Sequence, residues 1–208
     1  MTGLHVKKPD QQTAKNAIFI RKVAFMKGKK YWTADEHYGH DEIITYCGRP
    51  YRNNQIMTRD IIKRHNKIVT EEDTVYHVGD YAFAGPDRST YVESLMRRMN
   101  GKHILILGNH DRINPFRFVD VGFQSVHTSL MIEHEGYTLV MAHDPAIWNC
   151  VANMNPLPIF IHGHVHNVYK SVIEKRMINV GVDVWDFYPV SFEQILEALN
   201  LPNLGAGI

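Results

Sequence analysis

The chain has 208 residues, 44% of them hydrophobic and 22% charged, the composition of an ordinary globular protein long enough to bury one sizeable core. It has no run of eighteen apolar residues, and the N-terminal MTGLHVKKPDQQ has no apolar signal core, so neither a membrane span nor a secretory leader is expected and the cytoplasm is the expected location. The net charge of +1 is uneven: residues 1–30 carry eight Lys and Arg against Asp10 alone, a local +7 that leaves −6 for the rest. A basic arm of this kind reads first as a solvated extension, with contact to a polyanion as the alternative, while the acidic remainder suits a body that collects cations.

In chain order, Ala17–Phe25 and Lys30–Ala34 are β-rich and separated by MKGK, which predicts a hairpin. Asp41–Cys47 is expected to form one or two helical turns. Asn54–Val69, with Met57, Ile61 and Ile68 on one face, predicts a longer helix. Thr74–Val78 predicts a short buried strand. Ser89–Met99 predicts a helix with a Thr90/Glu93 capping box and Gly101 as its stop. His103–Leu107 predicts the next strand, and Asn114–Val119 a short helix capped by Asn114 with Pro115 in its first turn. Ser125–Glu133 and Tyr137–Ala142 are expected to pair as a hairpin around HEG. Ile159–His162 predicts a strand, Ser171–Glu174 and Met177–Val182 a second hairpin, and Ser191–Leu199 a capped closing helix. Strands and helices alternate early and hairpins dominate late. The expected fold is α/β: two mixed sheets packed face to face as a sandwich with helices outside. The expected organisation is a basic extension over 1–30, one domain over 31–200 and a loose tail over 201–208.

Histidine is the informative residue type. Of thirteen, eight (His37, His40, His77, His110, His143, His162, His164 and His166) lie in or beside predicted strand ends, and histidine is the commonest metal ligand. The first such end reads TADEHYGH, with Asp35 and His37 two apart; the second reads GD, with Asp80; the third GNHD, with Asn109, His110 and Asp111. The fourth gives His143, and the fifth GHVH, with His164 and His166 again two apart. Residues two apart at a strand end project to one side, and open α/β sheets collect ligands at the carboxyl ends of their strands. Asp35, His37, Asp80, Asn109, His143, His164 and His166 are too many donors for a single ion of about four ligands. They suit two ions sharing a bridging carboxylate, for which Asp80 is the natural choice.

In that order, D-x-H, GD, GNHD, H and GHxH resemble the calcineurin-like metallophosphoesterase superfamily, from about Trp32 to Asp183. Within it, WTADEHYGH, CGRPY, DTVYHVGDYAF and GNHD are similar to a group of small bacterial and phage phosphoesterases. The resemblance implies one ion held by Asp35, His37, Asp80 and His166, and a second by Asp80, Asn109, His143 and His164. It implies manganese first, with iron, zinc or nickel as alternatives. It also implies attack on phosphorus by a bridging hydroxide, with His110 as general acid and Asp111 orienting its imidazole. The implied partner is a phosphate ester, a nucleotide or nucleic-acid end by first preference; a phosphomonoester or phosphoprotein is the alternative, and a non-catalytic scaffold the third reading. The superfamily's scaffolds tend to lose the acid histidine or ligands, and here all are present.

Other residues carry less. Arg49 in CGRPY has the fork geometry to hold a substrate phosphate, or is a surface residue; His40 either reaches the pocket or caps the turn before Asp41. His77 and His162 read as structural histidines, and Asp144 and Asp183 as turn residues. Cys47 and Cys150 show no zinc spacing and no neighbouring histidine in their own motifs, so they read as free or buried thiols; with no G-x-S-x-G elbow present, a cysteine or serine hydrolase is set aside.

Overall fold

The computed structural model describes residues 28–83, 88–112 and 114–205, so the expected Ala17–Phe25 strand lies outside the described residues. Four short hydrophobic runs form parallel strands: β1 (Lys30–Thr33), β2 (Thr74–Val78), β3 (Lys102–Ile106) and β4 (Ser125–His127). With the antiparallel β10 (Val190–Ser191) they make a sheet of order β10-β1-β2-β3-β4. Both edges of β1 are therefore taken, by β10 and β2. The second sheet has the order β5-β6-β7-β9-β8, built from Leu130–His134, Tyr137–Met141, Ile159–His162, Ser171–Val172 (β8) and Met177–Asn179 (β9). β6, β7 and β9 run parallel, and β5·β6 and β8·β9 are the antiparallel hairpins.

The single strand expected over Ser125–Glu133 is two. β4 pairs with β3 in the first sheet, and the chain crosses at Thr128–Ser129 to start β5 in the second. Alternation fixes what each strand buries. Trp32, Val78 and Ile106 from the first sheet meet Leu139, Met141, Ile159, Ile161 and Ile178 from the second in one core between the sheets. Helix α5 (Phe192–Ala198) joins that core through Phe192, Ile195 and Leu196. On the outer face of the first sheet, Leu105 and Tyr81 pack under α1 (Glu42–Tyr46), α2 (Asn54–Ile68), α3 (Arg88–Met96) and α4 (Pro115–Asp120). The outer face of the second sheet, bearing Val140 and Phe160, is covered by the 3-10 segment Pro145–Cys150.

Caps fall largely where the side chains dictate. Asn53 accepts from Ile56 N at α2, Asn114 from Phe116 N at α4, and Ser191 and Gln194 form a reciprocal capping box at α5. The expected Thr90 cap differs: α3 begins at Arg88, so Thr90 lies inside the helix, which ends at Met96, ahead of Gly101. Among the described residues no helix is long and apolar enough to cross a membrane.

The sheets are clasped at the carboxyl ends of their parallel strands. Val182 N donates to Ala34 O, Asp35 N to Gly79 O and His37 N to Asp80 O. His143 Nδ1 contacts Val78 O at 2.8 Å, and His164 N donates to the Asp35 carboxylate at 3.0 Å. These bonds bring strand ends from both sheets to one place.

Candidate metal centre

Five side chains at this edge sit on backbone that L-residues rarely adopt. Asp35, His37, Asp80, His164 and His166 have φ of 58°, 51°, 55°, 74° and 48°. Left-handed non-glycine residues are uncommon and gather at functional sites, where the surroundings hold them against their strain. They also correct the reason given for the D-x-H spacing. β1 ends at Thr33, so Asp35 and His37 share a side through two left-handed residues, not through strand alternation.

The donors converge on Asp80. Its Oδ2 lies 3.5 Å from His37 Nε2 and 3.3 Å from His143 Nε2, between the two rings. His143 Nε2 is also 3.2 Å from Asn109 Oδ1 and 3.3 Å from His164 Nδ1, and Asn109 Oδ1 is 3.0 Å from His164 Nδ1. Ligand atoms of Asp35, His37 and His166 lie within 4.8 Å of one another, as do those of Asp35, Asp80 and His143. The structure thus brings together all seven residues of the expected set.

Their charges also call for cations. Burial lifts the Asp35 carboxyl to about 7. Burial opposes ionisation of Asp80 as well, but contacts with His143, the His110 N–H and His37 together outweigh it and hold it at about 2. Burial also opposes charge on His143, but Asp80, Asp35 and the Val78 carbonyl together raise it to about 9. Burial also opposes charge on His166, yet the negative groups around it, Asp183 first, together take it to about 10. His37 is forced down to about 2 by burial, and its Nε2 is buried with no hydrogen-bond partner while facing Asp80. An orphaned ring nitrogen beside two buried carboxylates fits a divalent ion. Glycines leave room for this crowding. A Cβ on Gly79 (φ +92°) would stand 2.2 Å from His143 Nδ1, and one on Gly108 2.2 Å from Asp80 Oδ1.

Three expectations need correcting. Arg49 is not a surface residue and has no donor spare for substrate: its side chain is fully buried and its fork grips both oxygens of Asp183 at 2.8 Å. It also donates to the carbonyls of Asp35 (2.7 Å) and Glu36 (3.1 Å), the backbone of the D-x-H block. Asp183 in turn meets His166 Nδ1 at 3.1 Å, so it orients a candidate ligand and is more than a turn residue. Asp111 does not reach the His110 ring. Its carboxylate accepts the backbone N–H groups of Asp80 (2.8 Å), Gly108 (2.8 Å) and Tyr81 (3.0 Å), bracing two blocks against each other.

His110 is aimed by other means: its N–H donates to Asp80 Oδ1 at 2.8 Å, and its ring lies 5.4 Å from the rings of His37 and Phe83. His40 does reach the pocket's inner wall, where its Nδ1 is 3.2 Å from His37 Nδ1 and its Nε2 3.5 Å from Glu42. With Nε2 of His37 on an ion, its Nδ1–H would donate to His40, the outer partner that fixes a ligand's tautomer. His77 bonds Glu36 (2.6 Å) and His103 (2.9 Å) inside the protein, and His162 is buried and held down to about 4 by that burial, as structural histidines would be.

No protein-family model matches the chain. It is 32% identical over 178 residues to the uncharacterized protein MJ1445 of Methanocaldococcus jannaschii, an alignment covering 83% of this chain and 92% of that one. The Gene 66 protein of Mycobacterium phage L5 is 26% identical, with 82% and 93% covered. Among solved structures, the protein of unknown function AQ665 from Aquifex aeolicus superposes with a TM-score of 0.66 at 24% identity, covering 82% of this chain and 99% of that chain, and shares the fold. The chain belongs to one family with that archaeal protein. The five blocks read in sequence stand together at one edge of the paired sheets as a candidate site for divalent metal.

Proposed function

We propose that the protein is a dinuclear-metal phosphoesterase, acting by preference on phosphodiesters of nucleotides or nucleic-acid ends. The observation that carries the reading is the convergence on Asp80 Oδ2, flanked by His37 Nε2 at 3.5 Å and His143 Nε2 at 3.3 Å. One carboxylate oxygen between two imidazoles, each with further donors behind it, suits a bridge between two cations. Asp35, His37, Asp80 and His166 would hold one ion, and Asp80, Asn109, His143 and His164 the other. Such ions neutralise phosphoryl oxygens and acidify water near neutral pH; the mixed nitrogen and oxygen donors accept manganese, iron, zinc or nickel.

The chain's own groups do the rest. His110, held by its backbone to Asp80 and walled by His37 and Phe83, is placed to give a proton to the leaving oxygen, a role worth roughly 10²–10⁴-fold in rate. Arg49 and Asp183 fix the first block and His166. His40 fixes the His37 tautomer.

The test strips the protein with chelator, restores manganese and measures hydrolysis of an aryl phosphodiester beside its monoester, with the chelator-stripped protein as background. Manganese-dependent cleavage favouring the diester is expected. Monoester preference would reassign the substrate class, and no turnover of either with metal bound would end the hydrolytic reading for simple esters.

A further inference from the structure

His166 belongs to two groups. On one side stand Asp35 and His37. On the other stand Cys47 and Asp183, whose ligand atoms also lie within 4.8 Å of one another and of His166. Cys47 caps the C-terminus of α1, is half-buried, and forms no disulfide. It is held at this spot from two directions. Its Sγ lies within 4.8 Å of the His166 and Asp183 ligand atoms, and its carbonyl accepts from Asn167 Nδ2 at 3.2 Å, which ties the α1 end to the loop carrying His166. Asp183 is pinned by the Arg49 fork and presents Oδ2 to His166 Nδ1 at 3.1 Å.

A thiolate, an imidazole and a carboxylate are a different donor set from the sulfur-free main cluster. Sulfur selects softer ions, zinc above manganese or magnesium. The spacing also fits. A tetrahedral ion with Zn–N and Zn–O bonds of ~2.0–2.1 Å and Zn–S of ~2.3 Å separates its donors by roughly 3.3–3.6 Å. The His166–Asp183 pair is already near that edge, and the Cys47 sulfur stands at most roughly 1.2–1.5 Å beyond it.

We propose that Cys47, His166 and Asp183 form a separate three-donor site for a soft divalent cation, zinc by chemistry, that competes with the main cluster for His166. On binding, the cation would displace to solvent both the Cys47 thiol proton and the proton between His166 Nδ1 and Asp183 Oδ2, and the imidazole it polarises would be a poorer ligand for an ion shared with Asp35 and His37. Manganese, preferring oxygen and nitrogen, leaves the site alone. The protein is thereby sensitive to zinc at a point outside its own hydrolytic ligands except for the one they share.

Cobalt(II) reports the site directly, because a cobalt–thiolate bond gives a near-ultraviolet charge-transfer band that nitrogen and oxygen ligands do not. The chain has two cysteines, so Cys150→Ser leaves Cys47 as the sole thiol. Titrating that protein with cobalt should produce the band; adding Cys47→Ser should abolish it; adding His166→Gln should raise the cobalt needed at least ~10-fold, the lower end of what even outer partners of a metal contribute. No band at saturating cobalt, or a band indifferent to His166→Gln, overturns the proposal. A second arm rests on the hydrolytic reading: in the manganese-loaded protein, Cys47→Ser should raise the zinc concentration for half-inhibition at least ~10-fold, and an unchanged value would remove the competition. A cobalt band without turnover on any ester would keep the site and sink only the hydrolytic reading.

Discussion

Replacing Arg49 with alanine separates the two roles open to that residue. Its guanidinium makes two bonds to Asp183 and two to the carbonyls of Asp35 and Glu36, in a place where the Arg49 and Asp183 side chains are 0% and 3% exposed. Removing one partner of a buried ion pair costs roughly 3–5 kcal/mol, because the other charge stays buried and unpaired. The two orphaned carbonyls add up to ~1–3 kcal/mol each, though water entering the vacated space recovers part of that. We expect a loss near the pair figure. In a chain of this size each kcal/mol lowers Tm by about 2–4 °C, so the midpoint should fall by roughly 6–20 °C. Far-ultraviolet circular dichroism on metal-free and manganese-loaded protein measures it. The metal-loaded form should also bind manganese more weakly, since the freed carbonyls belong to the Asp35 block. A residue that only gripped substrate phosphate would raise KM and leave Tm within a degree or two; that result would refute the buried-clamp reasoning. Asp183→Asn removes the stranded charge, so adding it to Arg49→Ala should recover part of the lost stability, as a coupled pair requires.

Other outcomes follow from the same geometry. His110→Ala should keep both ions by metal analysis yet lose about 10²–10⁴-fold in rate on esters with poor leaving groups, and much less on an activated aryl ester; equal losses on both would remove the acid role. Asp80→Asn should weaken retention of both ions together, and two tightly held ions in the variant would end the bridge. Gly79→Ala drives a Cβ into the His143 ring at 2.2 Å on a φ of +92°; it should lower both stability and metal content, and a variant with normal metal stoichiometry would contradict that crowding. Asp73 accepts from Lys29 N (2.6 Å) and Thr70 N (2.7 Å), and although burial opposes its charge these bonds hold its pKa below the usual value. A depressed carboxylate stabilises above its unfolded pKa and loses that as pH falls through the folded one. Asp73→Asn should therefore destabilise at pH 7, with a difference from the parent that shrinks below about pH 4; a constant gap would point to shape instead of charge.

The strands and helices with strong local pattern were legible from sequence because their cause is local. β2 lies over Thr74–Val78 as expected, and α2 over Asn54–Ile68 against an expected Asn54–Val69. What pattern could not supply was partnership. Residues 125–133 alternate acceptably for one strand, yet the chain changes sheets at Thr128–Ser129 because β4 finds its neighbour in β3 and β5 in β6. Thr90 and Glu93 have capping-box spacing, but Thr90 lies within α3.

The candidate site shows the same division. Its seven donors announce themselves because each closes a hydrophobic run with a residue type that has few other reasons to be there. The groups that hold them do not. Arg49 and Asp183 are 134 residues apart, one before a proline and one inside GVDVW, and neither looks unusual alone. Asp111 misleads for the opposite reason: it adjoins His110 in sequence, so it reads as that ring's orienter, while the turn aims its carboxylate at the backbone of Asp80 and Tyr81. The usable signal is charge balance. A buried arginine needs a carboxylate, and a histidine offering one nitrogen to an ion needs an acceptor on the other. Asking which acid serves Arg49 and His166 together would have led to Asp183. From Asp183 the question passes to Cys47, because three different donors around one imidazole give that imidazole a choice of ion.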